Sequence, residues 1–584
     1  MAMMLRPKRR EGLSFSWTLP VLCLAFVCSA SSGHAATVTD HGAAGAAGAN
    51  PGGAGGNGSP ANASAGPGDA ANMATAEGGT GGSGGFAPLG GFPGAGGNGG
   101  SATASATTIL TSGAAHATSS ATGGPGGNAG TTTTSHGSSG GNGGDASAVS
   151  FAKTASGGAA FSASTASGAP AGSGNQLPGG FGGAIGAVGA TAISDTGPAS
   201  ASVRATGGGG GAGVGFLNAP GSDGPSVTLF NAASGATAGQ LTLTQTAVGG
   251  GGGNTSVGGA PGAGGNASST LSFTSGASFI AATASATGGV GGQENGGLNF
   301  NAGGSAAANV AVTTTNPSSG VQARAIAASG VSLGGALPAS ASAKIFGAAS
   351  GQAQSTSSTS SSKGQITTIA TAFVGGPAIA VTSTSVNSPL SPPLPAITAG
   401  EAFAAGVLPP SASSAFGGLA MSAGYGGEGE SLTYTSSATF GFTAPLTGDF
   451  KLTLLSSESS GLGFSDLTFD VRINSADHSF EFNTLSDADT FFTDNLLDFG
   501  DIAGGVKNVA FTYDLTSKTP GDGFGFDLTI GEVSVTVPEP STWSMGLFGF
   551  GLLGLALYRN GVAGRARGIK ASNGRLAAWP FRPA

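Results

Sequence analysis

ATGGPGG, at Ala121–Gly127, is one copy of a pattern close to A-x-G-G-x-G-G. Other clear copies start at Ala76 (AEGGTGG), Ala205 (ATGGGGG), Ala247 (AVGGGGG) and Ala286 (ATGGVGG), with degenerate ones at Ala166 (ASGAPAG) and Ala328 (ASGVSLG). Successive starts lie 45, 45, 39, 42, 39 and 42 residues apart. Half a period away, Ser112-Gly113, Ser156-Gly157, Thr196-Gly197, Ser234-Gly235, Ser275-Gly276, Ser319-Gly320 and Lys363-Gly364 keep the same beat. In so biased a composition one match carries no weight. Two interleaved series of near-constant spacing define a repeat of about 42 residues.

Between the markers lie PSVTLFN, LTLTQTAV, STLSFTS, ANVAVTTT and GQITTIATAF, rich in Thr, Val, Ile and Phe and partly alternating. Each unit reads as strand, Ser-Gly turn, strand, glycine loop, the turn glycine being free to take positive φ. No segment carries a sustained 3.6-residue apolar stripe, so helix is not expected. A lone strand pair cannot bury enough surface to persist, whereas stacked copies can. The expectation is a β-solenoid or an array of stacked hairpins, with the GGxGGN runs as flexible loops along one side. The rival is a disordered glycine-rich spacer, because fourteen Phe and one Tyr between Thr37 and Gly427 are a thin supply for a core. Pro389–Pro410 interrupts the pattern and reads as a linker.

Of 584 residues, 114 are glycine and only 8% are charged, against about a quarter charged in ordinary globular chains. The net charge of −8 argues against a nucleic-acid partner, which selects clustered Lys and Arg. Arg6, Lys8, Arg9 and Arg10, the apolar run Leu19–Val27 and the small residues SASSGHAA read as an export signal with cleavage after Ala35. Both cysteines, Cys23 and Cys28, fall inside it. The exported chain is therefore expected to hold no disulfide, thiolate nucleophile or Cys-ligated metal.

From Glu428 to Glu532 the composition turns acidic, and alternation becomes clean: Phe450, Leu452, Leu454; Leu467, Phe469, Val471, Ile473; Val509, Phe511, Tyr513, Leu515; Phe526, Leu528, Ile530. Each set places its apolar side chains on one strand face. An antiparallel β-sandwich of seven or eight strands is expected here.

Chemistry-bearing constellations are sparse. Asp487, Asp489 and Asp494, with Asp498 and Asp501 nearby, offer hard oxygen ligands suited to Ca²⁺. They lack the spacing and turn glycine of a calcium loop, and a solvated acidic face is the simpler reading. GGSGG at Gly81–Gly85 formally matches a nucleophile elbow but lacks the flanking strand and helix. His41, His116, His136 and His478 have no ligand-spaced partner. No catalytic residue and no cofactor are expected. Thr runs at Thr131–Thr134 and Thr313–Thr315 suggest a hydroxyl-bearing face for sugar or ice, against simple β-propensity.

The chain closes on VPEPSTWSMGLFGFGLLGLALYRN, Val537–Asn560. Pro538 and Pro540 hold an extended strand that presents Glu539 to a protease, and Ser541 can cap a following helix. Trp543–Tyr558 is an apolar run bracketed by aromatics. As a helix it would measure about 24 Å, short of a hydrocarbon core of about 30 Å and suited to a transient anchor. Arg559, Arg565 and Arg567 orient it with the C-terminus in the cytoplasm.

Val537, Pro538, Glu539, Pro540 and Ser541, the apolar run and the arginines, in that order, resemble the PEP-CTERM sorting signal, a motif also labelled an ice-binding protein C-terminal domain. The resemblance implies a Gram-negative bacterium, export through the Sec translocon and signal peptidase, and transient residence in the inner membrane. It further implies an exosortase-like transpeptidase as processing partner, delivery to the cell surface or matrix, and extracellular polysaccharide as companion.

The organisation expected is thus all-β before one C-terminal transmembrane helix. A signal peptide spans 1–35, repeats span 36–388, and a Pro/Gly-rich linker with a repeat remnant spans 389–427. The acidic sandwich covers 428–536, the sorting signal 537–567 and a basic cytoplasmic tail 568–584. Two functions fit: a non-enzymatic exported surface or matrix protein, and an adhesin or ice- or carbohydrate-binding protein using Thr-rich β faces.

Overall fold

Alternation in the segments between the glycine runs dictates strands with one face in and one face out. In Ala115–Thr122 and Ala160–Ser167 every second residue is buried, and most of those are Ala. The computed structural model of the chain describes residues 35–533, apart from 133–135, 216–217, 257, 296–298, 332–336, 360–365, 375–377, 387–413, 426–431, 445–447, 503–504, 518 and 520. It is nearly all β, with four sheets, none of them closed, and one helix among the described residues.

Consecutive strands of the array do not pair with each other. Ala102–Leu110 pairs in parallel with Ala61–Ala65 and Ala146–Thr154, while Ala115–Thr122 pairs in parallel with Ala71–Glu77 and Ala160–Ser167. The chain therefore winds as a parallel coil with two facing layers, and stacked hairpins are not formed. One layer is a continuous 14-stranded sheet; the other is a five-stranded sheet followed by a nine-stranded one. The second layer breaks where Val227–Phe230 pairs forward and Ala233–Ala236 pairs backward, with Asn231 between them at φ 48°.

The Ser-Gly markers only partly mark turns. Ser112-Gly113 and Ser156-Gly157 step the chain from one layer to the other, with Gly113 at φ 84° and Gly157 at φ 75°. Ser234-Gly235 instead lies within the strand Ala233–Ala236, and Lys363-Gly364 falls outside the described residues.

The glycine runs are not loops. Gly78, Gly81 and Gly84 donate their N–H groups to the carbonyls of Thr122, Pro125 and Asn128 in the next rung, at 2.8–2.9 Å. Their neighbours Gly79, Gly82 and Gly85 donate to Ser59, Gly56 and Gly53 of an adjacent segment, at 2.7–2.9 Å. The returning run repeats the scheme, with Gly94, Gly97 and Gly100 donating to Gly85, Gly82 and Gly79. A period of three with every bond made to a neighbour is that of a polyproline-II-type helix. Each rung thus sends out one such helix and brings back another, and the two rows form their own hydrogen-bonded bilayer beside the strands.

This packing explains the G-G-x spelling. A Cβ on Gly126 would lie well inside contact distance of the Gly141 carbonyl oxygen, and one on Gly127 would strike that of Gly82. The third residue, as at Thr80, Ser83 and Asn128, faces solvent and accepts a side chain. Two glycines in three are steric requirements here.

The core grows along the coil. Ala fills it in the early rungs; Leu229, Leu241, Leu271, Ile280, Val310 and Ile345 enter later. Buried hydroxyls among the Ala satisfy one another, as in Ser119–Ser164 at 2.8 Å and Ser150–Ser162 at 2.7 Å. Beyond Gly330 the strands Ala339–Ala348 and Ser350–Thr359 follow with a single residue between them.

Both layers then run on into the acidic region. Ser414–Tyr425 pairs antiparallel with Gly523–Val533, and Leu432–Ala444 pairs antiparallel with Gly505–Ser517. The two facing antiparallel sheets bury the alternating sets, including Phe450, Leu452, Phe469, Val471, Phe511, Tyr513, Phe526 and Ile530. The helix Leu485–Phe492, absent from the sequence reading, starts at Thr484, whose side chain accepts from the Asp487 N–H. It docks Phe492 at 4.1 Å from the Phe526 ring centroid. No helix among the described residues is long and apolar enough to cross a membrane; Trp543–Tyr558 lies outside them.

Gly127→Ala is expected to destabilise the fold by about 1–3 kcal/mol, the ordinary cost of overpacking. Thr80→Ala should stay within about 0.5 kcal/mol of the parent. Denaturant melts of the two variants check the difference; equal effects would contradict the three-fold packing.

Candidate functional site

Residues facing solvent on the glycine bilayer are held by an asparagine ladder. The Asn57 side-chain oxygen accepts from the Asn98 N–H, Asn98 from Asn142, and Asn142 from Phe181, each at 2.9 Å. The remaining backbone donor of the G-G-x turn is thus satisfied by a side chain one rung earlier. Asn128, Asn254 and Asn266 do the same for Ser173, Gln293 and Ser305. Asp145 and Asp223 stand in for Asn against Ala184 and Ala263.

Asn57, Asn98, Asn142, Ser101, Asp145 and Phe181 line a solvent-open groove of about 480 Å³. The amide oxygens are engaged in the ladder, leaving the amide NH₂ groups as the side chains' donors. Phe181 stays 64% exposed at its end. Amide donors, a hydroxyl, a carboxylate and an aromatic face make a surface that can take a hydroxyl-rich chain. The sequence reading passed over it because Asn following glycine reads as a turn signal.

A second polar surface lies on the outer face of the 14-stranded sheet. Cross-strand register aligns Thr75, Ser120, Thr165, Arg204, Thr246 and Ser285 in one column. Thr122, Ser167 and Thr206, then Val248 and Thr287, make another. Neighbouring strands are about 4.8 Å apart and alternate residues about 6.6 Å apart along a strand, with Arg204 and Val248 interrupting the hydroxyls. The run Thr313–Thr315 does not build this face, and Thr133 and Thr134 of the other run lie outside the described residues. Thr313 points out while Thr314 points in, its hydroxyl donating to Ser319 at 3.1 Å.

The acidic candidates are dispersed. Asp487 and Asp489 ride the helix, where Asp489 accepts from the Ser457 hydroxyl at 3.0 Å. Asp494 follows the helix at φ 50°. Asp498 is paired with Lys451 at 2.8 Å, a hydrogen bond that holds its carboxyl below the usual range and raises the lysine. Among the described residues no three His, Cys, Asp or Glu side chains converge on a metal position. His478 packs edge-on against Phe499, ring centroids 4.8 Å apart.

The described strands begin at Ala35 and end at Val533. Val537, Pro538, Glu539, Pro540, Ser541, Arg559, Arg565 and Arg567 lie outside the described residues. Residues 536–560 match the PEP-CTERM protein-sorting motif. This motif implies export and membrane-associated sorting, with an exosortase as processing partner. No curated protein and no solved structure matches the chain.

Because Asp487, Asp489 and Asp494 do not converge on one position among the described residues, Ca²⁺ is expected to leave the melting temperature unchanged. A calcium-dependent rise in a thermal melt, abolished by Asp489→Asn, would contradict this placement.

Proposed function

We propose that the chain is a non-enzymatic structural protein of the cell surface or extracellular matrix, tethered briefly in the inner membrane and released by an exosortase. The match at residues 536–560 carries this reading. Support comes from the position of the match, which starts three residues beyond the last described strand, Gly523–Val533. In sequence, the cleavage motif thus follows closely on the described body. On this reading the Sec translocon and signal peptidase export the chain, and Trp543–Tyr558 is a transmembrane helix whose basic flank stays in the cytoplasm.

Extracellular polysaccharide is the proposed companion in the matrix. The groove between Asn57 and Phe181 supports this, since its donors and aromatic face suit a hydroxyl-rich chain. A second reading, adhesin or ice-binding protein, is favoured by the Ser/Thr columns of the 14-stranded sheet. Thermal hysteresis of the purified protein separates it from the matrix reading.

Deleting Val537–Pro540 is expected to leave full-length protein in the inner membrane and none at the surface, measured by fractionation and blotting. Surface delivery equal to that of the parent chain would overturn the sorting role.

A further inference from the structure

Three of the ladder asparagines are each followed by glycine: Asn57-Gly58, Asn98-Gly99 and Asn142-Gly143. Such a pair is prone to lose its side-chain amide, because a residue without Cβ leaves its backbone nitrogen open to react. The glycine nitrogen bonds to the Asn side-chain carbonyl carbon and closes a succinimide ring. The proton of that N–H and the side-chain nitrogen leave as ammonia, and water opens the ring to aspartate or isoaspartate. All three asparagines are exposed, so water reaches them.

In the array each pair grips one residue of the next rung with two hydrogen bonds. The Asn57 Oδ1 accepts from the Asn98 N–H at 2.9 Å, and the Gly58 N–H donates to the carbonyl of the same Asn98 at 2.8 Å. Asn98-Gly99 holds Asn142 in this way, and Asn142-Gly143 holds Phe181, with all four bonds at 2.9 Å. In a succinimide the side-chain carbon stands where the amide proton stood. Here that proton is aimed at a carbonyl of the neighbouring helix, and the Asn side chain is drawn to the same neighbour's N–H. Ring closure therefore requires both bonds to break and the glycine peptide to turn out of the extended three-fold path.

We propose that Asn57, Asn98 and Asn142 are latent deamidation sites, kept as amides by the grip of each Asn-Gly pair on the next rung and converted once an arm opens. The two products differ in consequence. Aspartate fits the ladder, as Asp223 does in accepting from the Ala263 N–H at 2.6 Å. Isoaspartate routes the chain through its side-chain carbon and adds an atom to the backbone, which puts the later bonds of a three-residue period out of step. An arm that opens is thus marked irreversibly.

Peptide mapping by mass spectrometry, on the full-length chain held at mildly alkaline pH, tests this. In the folded parent the three sites should convert about thirtyfold more slowly than in the guanidinium-unfolded chain, the product of two bonds per pair. Asn142→Pro removes the N–H that the Asn98 Oδ1 binds and keeps the carbonyl that Gly99 binds. Pro60 already occupies a solvent-facing position of a returning helix, where its fixed φ suits the three-fold path. Folded Asn142→Pro should convert about fivefold faster than the parent at Asn98, the effect of one bond, with Asn57 unchanged. Asn98→Asp should melt at the parent's midpoint. Equal rates in the folded and unfolded parent would overturn the proposal, whichever way the variants fold. So would a folded Asn142→Pro that leaves Asn98 at the parent rate, or that raises Asn57 with it.

Discussion

The hydrogen bonds between backbone groups of neighbouring three-fold glycine helices are the constraint on which the array depends. Each is worth only about 1 kcal/mol net, but the helices have no side chains between them to offer anything else. Close approach of backbone to backbone demands glycine at two positions in three. The composition, the period and the low charge of the chain follow from that demand. The strands beside the bilayer follow it too. Layers filled by Ala bury little surface per residue, so the early rungs rely on the glycine bilayer for cohesion.

A trade runs along the coil. Where the core is Ala, as at Ala104, Ala117 and Ala148, each rung carries a glycine arm. Leu and Ile enter at Leu241 and Ile280 while full arms persist, and only after Gly320–Ala328 does the link to Ala339–Ala348 fall to ten residues. In the last unit the core is aromatic, with Phe469 within 5.1–6.1 Å of Phe492, Phe511 and Phe526. Cohesion passes from backbone bonds to buried side chains within one continuous pair of layers. The acidic unit also places antiparallel strands on the two parallel ladders, so the coil ends on a differently paired surface.

Much of this was legible in the sequence. The two interleaved markers gave the period, and clean alternation at Leu467–Ile473 and Val509–Leu515 gave the strands of the acidic unit. The glycine helices were not legible, because a segment without side chains shows no hydropathy pattern and a period of three is written only in where Cβ atoms are missing. Judging the core by Phe and Tyr also misled, since Ala at alternate positions fills a narrow gap between layers. The helix Leu485–Phe492 was obscured by its acids, although Thr484 three residues before Asp487 is a capping signal. The Asn ladder required knowing which N–H of each G-G-x turn was left over. For the sorting motif the opposite holds: proline, acid and arginine order in the sequence carried the whole identification.

The central claim is that the glycine runs are ordered, with two backbone amides in three bonded to backbone. Hydrogen–deuterium exchange resolved to single amides tests it most directly. The account predicts slow exchange at Gly78, Gly79, Gly81 and Gly82 and fast exchange at Thr80. Uniformly fast exchange across Gly78–Gly85 would show that these runs are loops and contradict the account.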